Sequence, residues 1–293
     1  MPPVGQRRLG PESFGLNFAR LSATDMNTRF VIRGLLVALP SAAIITAVAL
    51  ALVVSRAWIG PPPGPTPPPP TILAPRGEMP AEPVGLQEWV QIQGEAYHLA
   101  GSGFLLRLDS GEIVGVTTAH SVRLGDPERP VERIGLRVAG QYDFVAEFDT
   151  LRGPPGQPRS GGDMTVDYVL LHADWPVDPG LVLVPDPRGA PQPGERLWLC
   201  SGQGDAGGGR RLLEGTVQSV GERAVWVLMD ELFQPGLMSG SPFLSQYTGQ
   251  VVGMAVASSP RRGRLLLGLH PIGSIVTLAE SAAEFPMMDE FRR

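Results

Sequence analysis

Two kinds of apolar pattern divide the chain. From residue 34 to residue 55 there are 22 consecutive residues without a charge, GLLVALPSAAIITAVALALVVS, enough to cross about 30 Å of hydrocarbon as a helix. From about residue 85 onward the apolar positions come instead in short stretches bounded by Gly, Pro, Asp and Ser. Examples are Phe104-Leu105-Leu106, Ile113-Val114-Gly115-Val116, Tyr168-Val169-Leu170-Leu171, Leu181-Val182-Leu183-Val184, Val225-Trp226-Val227-Leu228 and Val251-Val252-Gly253-Met254. Many short strands at this spacing predict an all-β barrel or sandwich. Only the tail from about Ile275 to Phe285 has helical spacing, and it is expected to pack outside the β structure.

Charge orients the first pattern. Arg7, Arg8, Arg20, Arg29 and Arg33 precede the apolar run and Arg56 alone lies close behind it, so the positive-inside bias keeps residues 1–33 cytoplasmic and exports the C-terminal bulk of the chain. A cleaved signal peptide is the competing reading, since Ser55-Arg56-Ala57 loosely fits a cleavage site. The long charged lead and the length of the run favour an uncleaved transmembrane anchor. Residues 56–84 form a Pro-rich linker, with PPPGPTPPPP inside it; polyproline II extends and cannot pack a core, so this segment reads as a stalk. The folded domain is then expected over 85–293.

Composition narrows the chemistry. A net charge of −5, with 24 basic residues that are all arginine and no basic block in the second half, leaves no footprint for nucleic acid. The single cysteine, Cys200, excludes an intramolecular disulfide and sits in an apolar run as a small buried hydrophobe. Gly202, Gly204 and Gly207 have GxGxxG spacing, but a strand comes after them where a pyrophosphate site needs a helix N-terminus. The histidines show neither HExxH spacing nor paired cysteines, and His98, His172 and His270 read as structural. Neither a metal nor a cofactor is expected.

Three local patterns stand in order. Thr117-Thr118-Ala119-His120 ends a strand, Asp167-Tyr168-Val169-Leu170-Leu171 begins one, and Gly236-Leu237-Met238-Ser239-Gly240-Ser241-Pro242 precedes another. With these motifs the sequence resembles the chymotrypsin-like serine peptidases, in particular short bacterial ones without disulfides, over roughly residues 90 to 280. The resemblance implies two six-stranded β-barrels, about 85–187 and 193–275, joined near Pro185 to Pro193. It implies His120, Asp167 and Ser239 as a catalytic triad, with the amides of Leu237 and Ser239 as the oxyanion hole. It also implies a substrate pocket with Phe233 at its base and walls near Ala257 and Ser258; with no acid at that base, a small or apolar side chain is expected before the scissile bond.

Alternatives stay open within this reading. Asp163 and Asp174 are also close enough in sequence to supply the acid, but only Asp167 opens an apolar strand. Ser241 competes with Ser239, although Gly240 comes directly after the latter. The family usually has glycine where Leu237 stands, because that backbone needs φ above zero; leucine there is expected to be strained or to leave the hole unformed until substrate binds. The chain is then one of two things: a membrane-anchored endopeptidase acting on protein or peptide substrates, or a latent peptidase-like module that only binds peptides.

Overall fold

The computed structural model describes residues 85–203, 211–261 and 263–291; the apolar run at 34–55 and the Pro-rich linker lie outside them. Among the described residues no helix is long and apolar enough to cross a membrane.

The first β unit contains β1 (Leu86–Ile92), β2 (His98–Arg107), β3 (Ile113–Thr117), β4 (Val131–Arg137), β5 (Ala146–Phe148) and β6 (Val169–His172), in the sheet order β5-β4-β1-β2-β3-β6, with a short β7 (Val182–Leu183) parallel to β2. Alternation along β1 turns Leu86, Glu88, Val90 and Ile92 inward, and Leu86 and Val90 meet Leu136, Phe148 and Leu171 in a core of their own. The second unit is a closed barrel of β8 (Arg196–Ser201), β9 (Arg211–Val220), β10 (Val225–Met229), β11 (Pro242–Ser245), β12 (Val251–Arg261) and β13 (Arg264–Pro271), in the order β10-β13-β12-β11-β8-β9. Its interior is Leu197, Leu199, Val217, Val227, Phe243 and Leu269.

The architecture is therefore the all-β double barrel that the resemblance implies, with one departure. The first unit is a half-barrel: after β5 only an isolated bridge, Leu151 to Leu171, reaches β6, through the Arg152 N–H to the Leu170 carbonyl at 2.8 Å and the His172 N–H to the Thr150 carbonyl at 3.0 Å. A third apolar cluster joins the units and contains Phe104, Leu106, Val116, Met254 and Cys200. Cys200 is 1% exposed, in keeping with its expected role as a buried hydrophobe.

Besides the short helix α1 (Ala119–Val122), the described residues hold a second helix, α2 (Ile272–Ser281), so the tail helix begins and ends a few residues earlier than its composition suggests. Pro271, with φ fixed at −63°, ends β13 and starts the helix. Its end is set by tertiary pairing: the N–H groups of Gly153 and Leu151 take the carbonyls of Glu284 and Pro286 at 2.8 and 2.9 Å, and Arg152 Nε takes the carbonyl of Ala279 at 2.6 Å. Ile272, Ile275 and Ala279 face the cluster shared by both units.

The segment between the units is held by ions. Arg188 lies 2.6 Å from Asp186 and 2.8 Å from Glu195, and Ser245 donates to Glu195. Both carboxylates are fully buried as side chains. Burial alone would raise the Asp186 pKa, but the Arg188 and Thr248 hydrogen bonds outweigh it and hold the carboxyl below its usual range. Arg188→Met is expected to lower unfolding stability by about 3–5 kcal/mol, because two buried charges lose their cation. Urea denaturation at neutral pH measures this; an unchanged midpoint would contradict it.

Candidate functional site

Strand pairing explains why residues far apart in sequence meet here. β3 and β6 are antiparallel neighbours, with Thr117 opposite Val169. The single turn α1 after β3 therefore delivers His120 beside Asp167, which lies just ahead of β6. Arg123 closes that turn in the left-handed conformation, with φ of 56° and its N–H on the Ala119 carbonyl. Ser239 comes from the loop between β10 and β11, and that loop is fastened to both units: Ser102 of β2 donates its N–H to the Ser239 carbonyl at 2.9 Å, and Gly240 donates to Ala255 of β12 at 2.8 Å.

The three side chains form one line. Asp167 Oδ2 lies 2.8 Å from His120 Nδ1 and Ser239 Oγ lies 2.8 Å from His120 Nε2. Asp167 is wholly buried and accepts two further bonds, from the His120 N–H to Oδ1 at 3.0 Å and from the Arg159 N–H to Oδ2 at 3.1 Å. Burial pushes its carboxyl pKa up, but the His120 and backbone hydrogen bonds win and leave it below the ordinary range. It is an anion at neutral pH. Behind it, burial holds His270 down to about 4, so that ring is neutral and packs edge-on against Tyr168.

The rival residues are elsewhere. Asp163 bonds Thr165 and faces Arg223, Asp174 is exposed, and Ser241 is fully buried. His172 stacks against Phe285, whereas His98, expected to be structural, lines the cavity beside His120. Among the described residues no group of three His, Cys, Asp or Glu side chains is arranged to hold a metal ion.

Leu237 does adopt the conformation that glycine favours, with φ of 63°. Such a backbone costs an L-residue about 1–2 kcal/mol. Its carbonyl offsets part of that cost by accepting from Ser102 Oγ at 2.8 Å and Gln203 Nε2 at 3.0 Å. None of the hydrogen bonds among the described residues uses the N–H of Leu237 or of Ser239. Arg159, Ser102 and Gln203 were not legible as site residues: Arg159 acts through its backbone N–H on the Asp167 carboxylate, and Ser102 and Gln203 act through side chains that reach backbone carbonyls.

Two cavities flank Ser239. One, of about 210 Å³, is lined by Pro235, Met238, Ala255, Ala257, Ser258 and Leu267 among others; the other, of about 390 Å³, by Val90, Ile92, His98, Ala100, Arg123 and Leu237 among others. Both include His120 and Ser239. Ala257 and Ser258, expected as pocket walls, line the smaller cavity, and Phe233, expected at its base, lines neither. It is partly buried against the apolar cluster of the closed barrel, with Arg211 5.5 Å from its ring.

No protein-family model matches this sequence, and no curated protein matches it. Among solved structures, the chain is similar to a serine endoprotease from Yersinia pestis at 17% identity and a TM-score of 0.46, covering 69% of this chain and 65% of that one. It is also similar to Kallikrein-related peptidase 10 at 15% identity and a TM-score of 0.48, covering 69% and 95%. A thermostable serine protease, AL20, from an extremophilic microorganism matches at 12% identity and a TM-score of 0.46, covering 68% and 97%.

Proposed function

We propose that this chain is a serine endopeptidase, tethered to a membrane by residues 34–55 and held away from it by the Pro-rich linker, with its 85–293 domain on the exported side of a bacterial inner membrane or at the cell surface. The observation that carries the enzymatic reading is the unbroken line from Asp167 through His120 to Ser239, with 2.8 Å at each step. A serine hydroxyl is a weak nucleophile at neutral pH and needs a base within hydrogen-bond reach. Ser239 Oγ attacks the peptide carbonyl carbon while its proton passes to His120 Nε2, and the Asp167 anion holds the ring's tautomer and balances the imidazolium. The carbonyl oxygen becomes an oxyanion facing the N–H groups of Leu237 and Ser239, each such donor lowering the barrier by about 3–4 kcal/mol in comparable sites. As the C–N bond breaks, the amine leaves with the proton from His120. Water, deprotonated by His120, then hydrolyses the acyl ester and restores the serine.

The left-handed backbone of Leu237 favours the enzyme over the peptide-binding reading: with its carbonyl held by Ser102 and Gln203, the segment is already in the conformation that leucine was expected to resist. The smaller cavity disfavours a basic side chain before the scissile bond and suits a small or apolar one, since its lining includes Ala255, Val256, Ala257 and Leu267, has Arg159 as its cation and has no carboxylate. Beyond Ala255, whose carbonyl and N–H are taken by Gly240 and Ser241, β12 pairs among the described residues only with β13, which leaves backbone for an extended substrate to add to as a strand.

Incubating the detergent-solubilised chain with a fluorophosphonate is expected to place one adduct on Ser239, located by mass spectrometry, and none in Ser239→Ala or His120→Ala. A folded chain that takes no adduct at Ser239 would return the binding module as the better reading.

A further inference from the structure

The inner face of β1 carries a carboxylic acid where its pattern calls for a hydrophobe. Glu88 is fully buried between Leu86 and Val90. Its Oε1 lies 2.9 Å from Thr117 Oγ1, and its Oε2 has no hydrogen-bond partner. Across β2, Gly101 leaves the space it fills: a Cβ there would come within 2.5 Å of Oε2.

The proton count around Thr117 decides the state of this acid. Thr117 Oγ1 also lies 2.9 Å from the carbonyl oxygen of Ser102. The threonine hydroxyl has one hydrogen to give and faces two acceptors if Glu88 is a carboxylate. Both contacts are satisfied only if Glu88 is neutral, donating its own O–H to Thr117, which donates onward to Ser102. Ser102 is the residue that grips the loop carrying the nucleophile, with its N–H on the Ser239 carbonyl and its hydroxyl on the Leu237 carbonyl.

We propose that protonated Glu88 is a positioning residue, which through Thr117 and Ser102 holds the 237–240 loop in its working conformation and releases it when the acid ionises. The inference rests on the peptidase reading for its effect on catalysis. Burial, opposed only in part by Ser121 and Thr117, raises this acid from 4.5 to about 8, so its ionisation falls in the alkaline range. The residues facing it are Leu136 across β4, Gly101 across β2, Thr117 on β3 and Ser121 on α1, none of them charged. The titratable group on α1 is His120, whose ring turns to Asp167 and Ser239. For stability the sign is set by the native state keeping a proton that the unfolded chain has released. Glu88 therefore lowers stability progressively as pH rises from about 4.5 to about 8.

The test compares the full chain in detergent with Glu88→Gln, whose amide can donate to Thr117 at every pH. Fluorophosphonate labelling of Ser239 and the 13C-methyl resonance of Met238 are tracked from about pH 5 to about pH 10. In the wild type, labelling is expected to fall about tenfold per pH unit once Glu88 ionises, with the Met238 signal shifting over the same range. Glu88→Gln is expected to keep neutral-pH labelling and lose both alkaline changes. Thr117→Val, which cuts the relay and spares the acid, should label more slowly at all pH values and hold its Met238 signal constant in the alkaline range. An alkaline limb that is identical in wild type and Glu88→Gln overturns the proposal. If no variant labels at any pH, the peptidase reading fails, and the Met238 titration alone then decides for or against the Glu88 relay.

Discussion

Asparagine at position 167 is expected to cut turnover of an accepted peptide by about 10⁴-fold, the size of the same exchange in the serine–histidine–aspartate template, while the protein still unfolds cooperatively. The carboxylate is surrounded by donors only: the His120 N–H on one oxygen, the His120 ring and the Arg159 N–H on the other. An amide brings its own NH₂ into that ring. In one orientation it faces His120 Nδ1 and the Arg159 N–H, which forces the imidazole into the tautomer that cannot accept the serine proton. In the other it faces the His120 N–H and displaces the turn. Steady-state hydrolysis and a pH–stability profile of both proteins test this. Asp167 ionises below its usual range when folded, so the stability it contributes is present above the ordinary aspartate pKa and is lost as the pH falls through the folded one. The variant should lack that acid-side dependence; turnover within about tenfold of wild type would remove Asp167 from the mechanism.

Alanine at position 240 should be the most damaging single methyl group in the domain. Gly240 has φ of 92°, and a Cβ would lie 1.7 Å from the Ser102 carbonyl oxygen and 2.7 Å from its carbon. Both are backbone atoms of a central strand and cannot swing aside. The loop has to move, breaking the bond from the Ser102 N–H to the Ser239 carbonyl. A loss of about 4 kcal/mol or more in urea unfolding is expected, with fluorophosphonate labelling below detection even where the fold survives. Full labelling of Gly240→Ala would mean that this approach of the two units is not what places the serine.

Much of the site could be read from the sequence because its parts announce themselves locally. His120 ends an apolar strand, Asp167 begins one and Ser239 lies between glycine-rich turns, so three short motifs were enough to name them. The β architecture was legible for a similar reason, since inward and outward positions alternate within each short stretch. What supports the site was less visible. Glu88 stood in plain alternation with Leu86 and Val90, which is a sequence signal, but only the fold shows Thr117 and an absent side chain at Gly101 waiting for it. Arg159 and Gln203 contribute through a backbone N–H and a reach to backbone carbonyls, and neither demand leaves a mark on residue type. Phe233, placed at the pocket base by the resemblance alone, is instead partly buried against the barrel cluster, a packing that its residue type did not announce.

The bonds from residues 151 and 153 to 286 and 284 bear on the order in which the molecule is made. With the Met288 N–H on the Asp149 carbonyl as well, the open side of the half-barrel is stitched by a segment that leaves the ribosome long after β5 and β6. The first unit therefore cannot make these bonds until the residues that follow the closed barrel and α2 have been synthesised. Such long-range closure is slow and exposes pairing edges to other chains. Proteolysis at 283–288 should accordingly reopen the first half of the molecule, although the cut lies at the far end of the sequence.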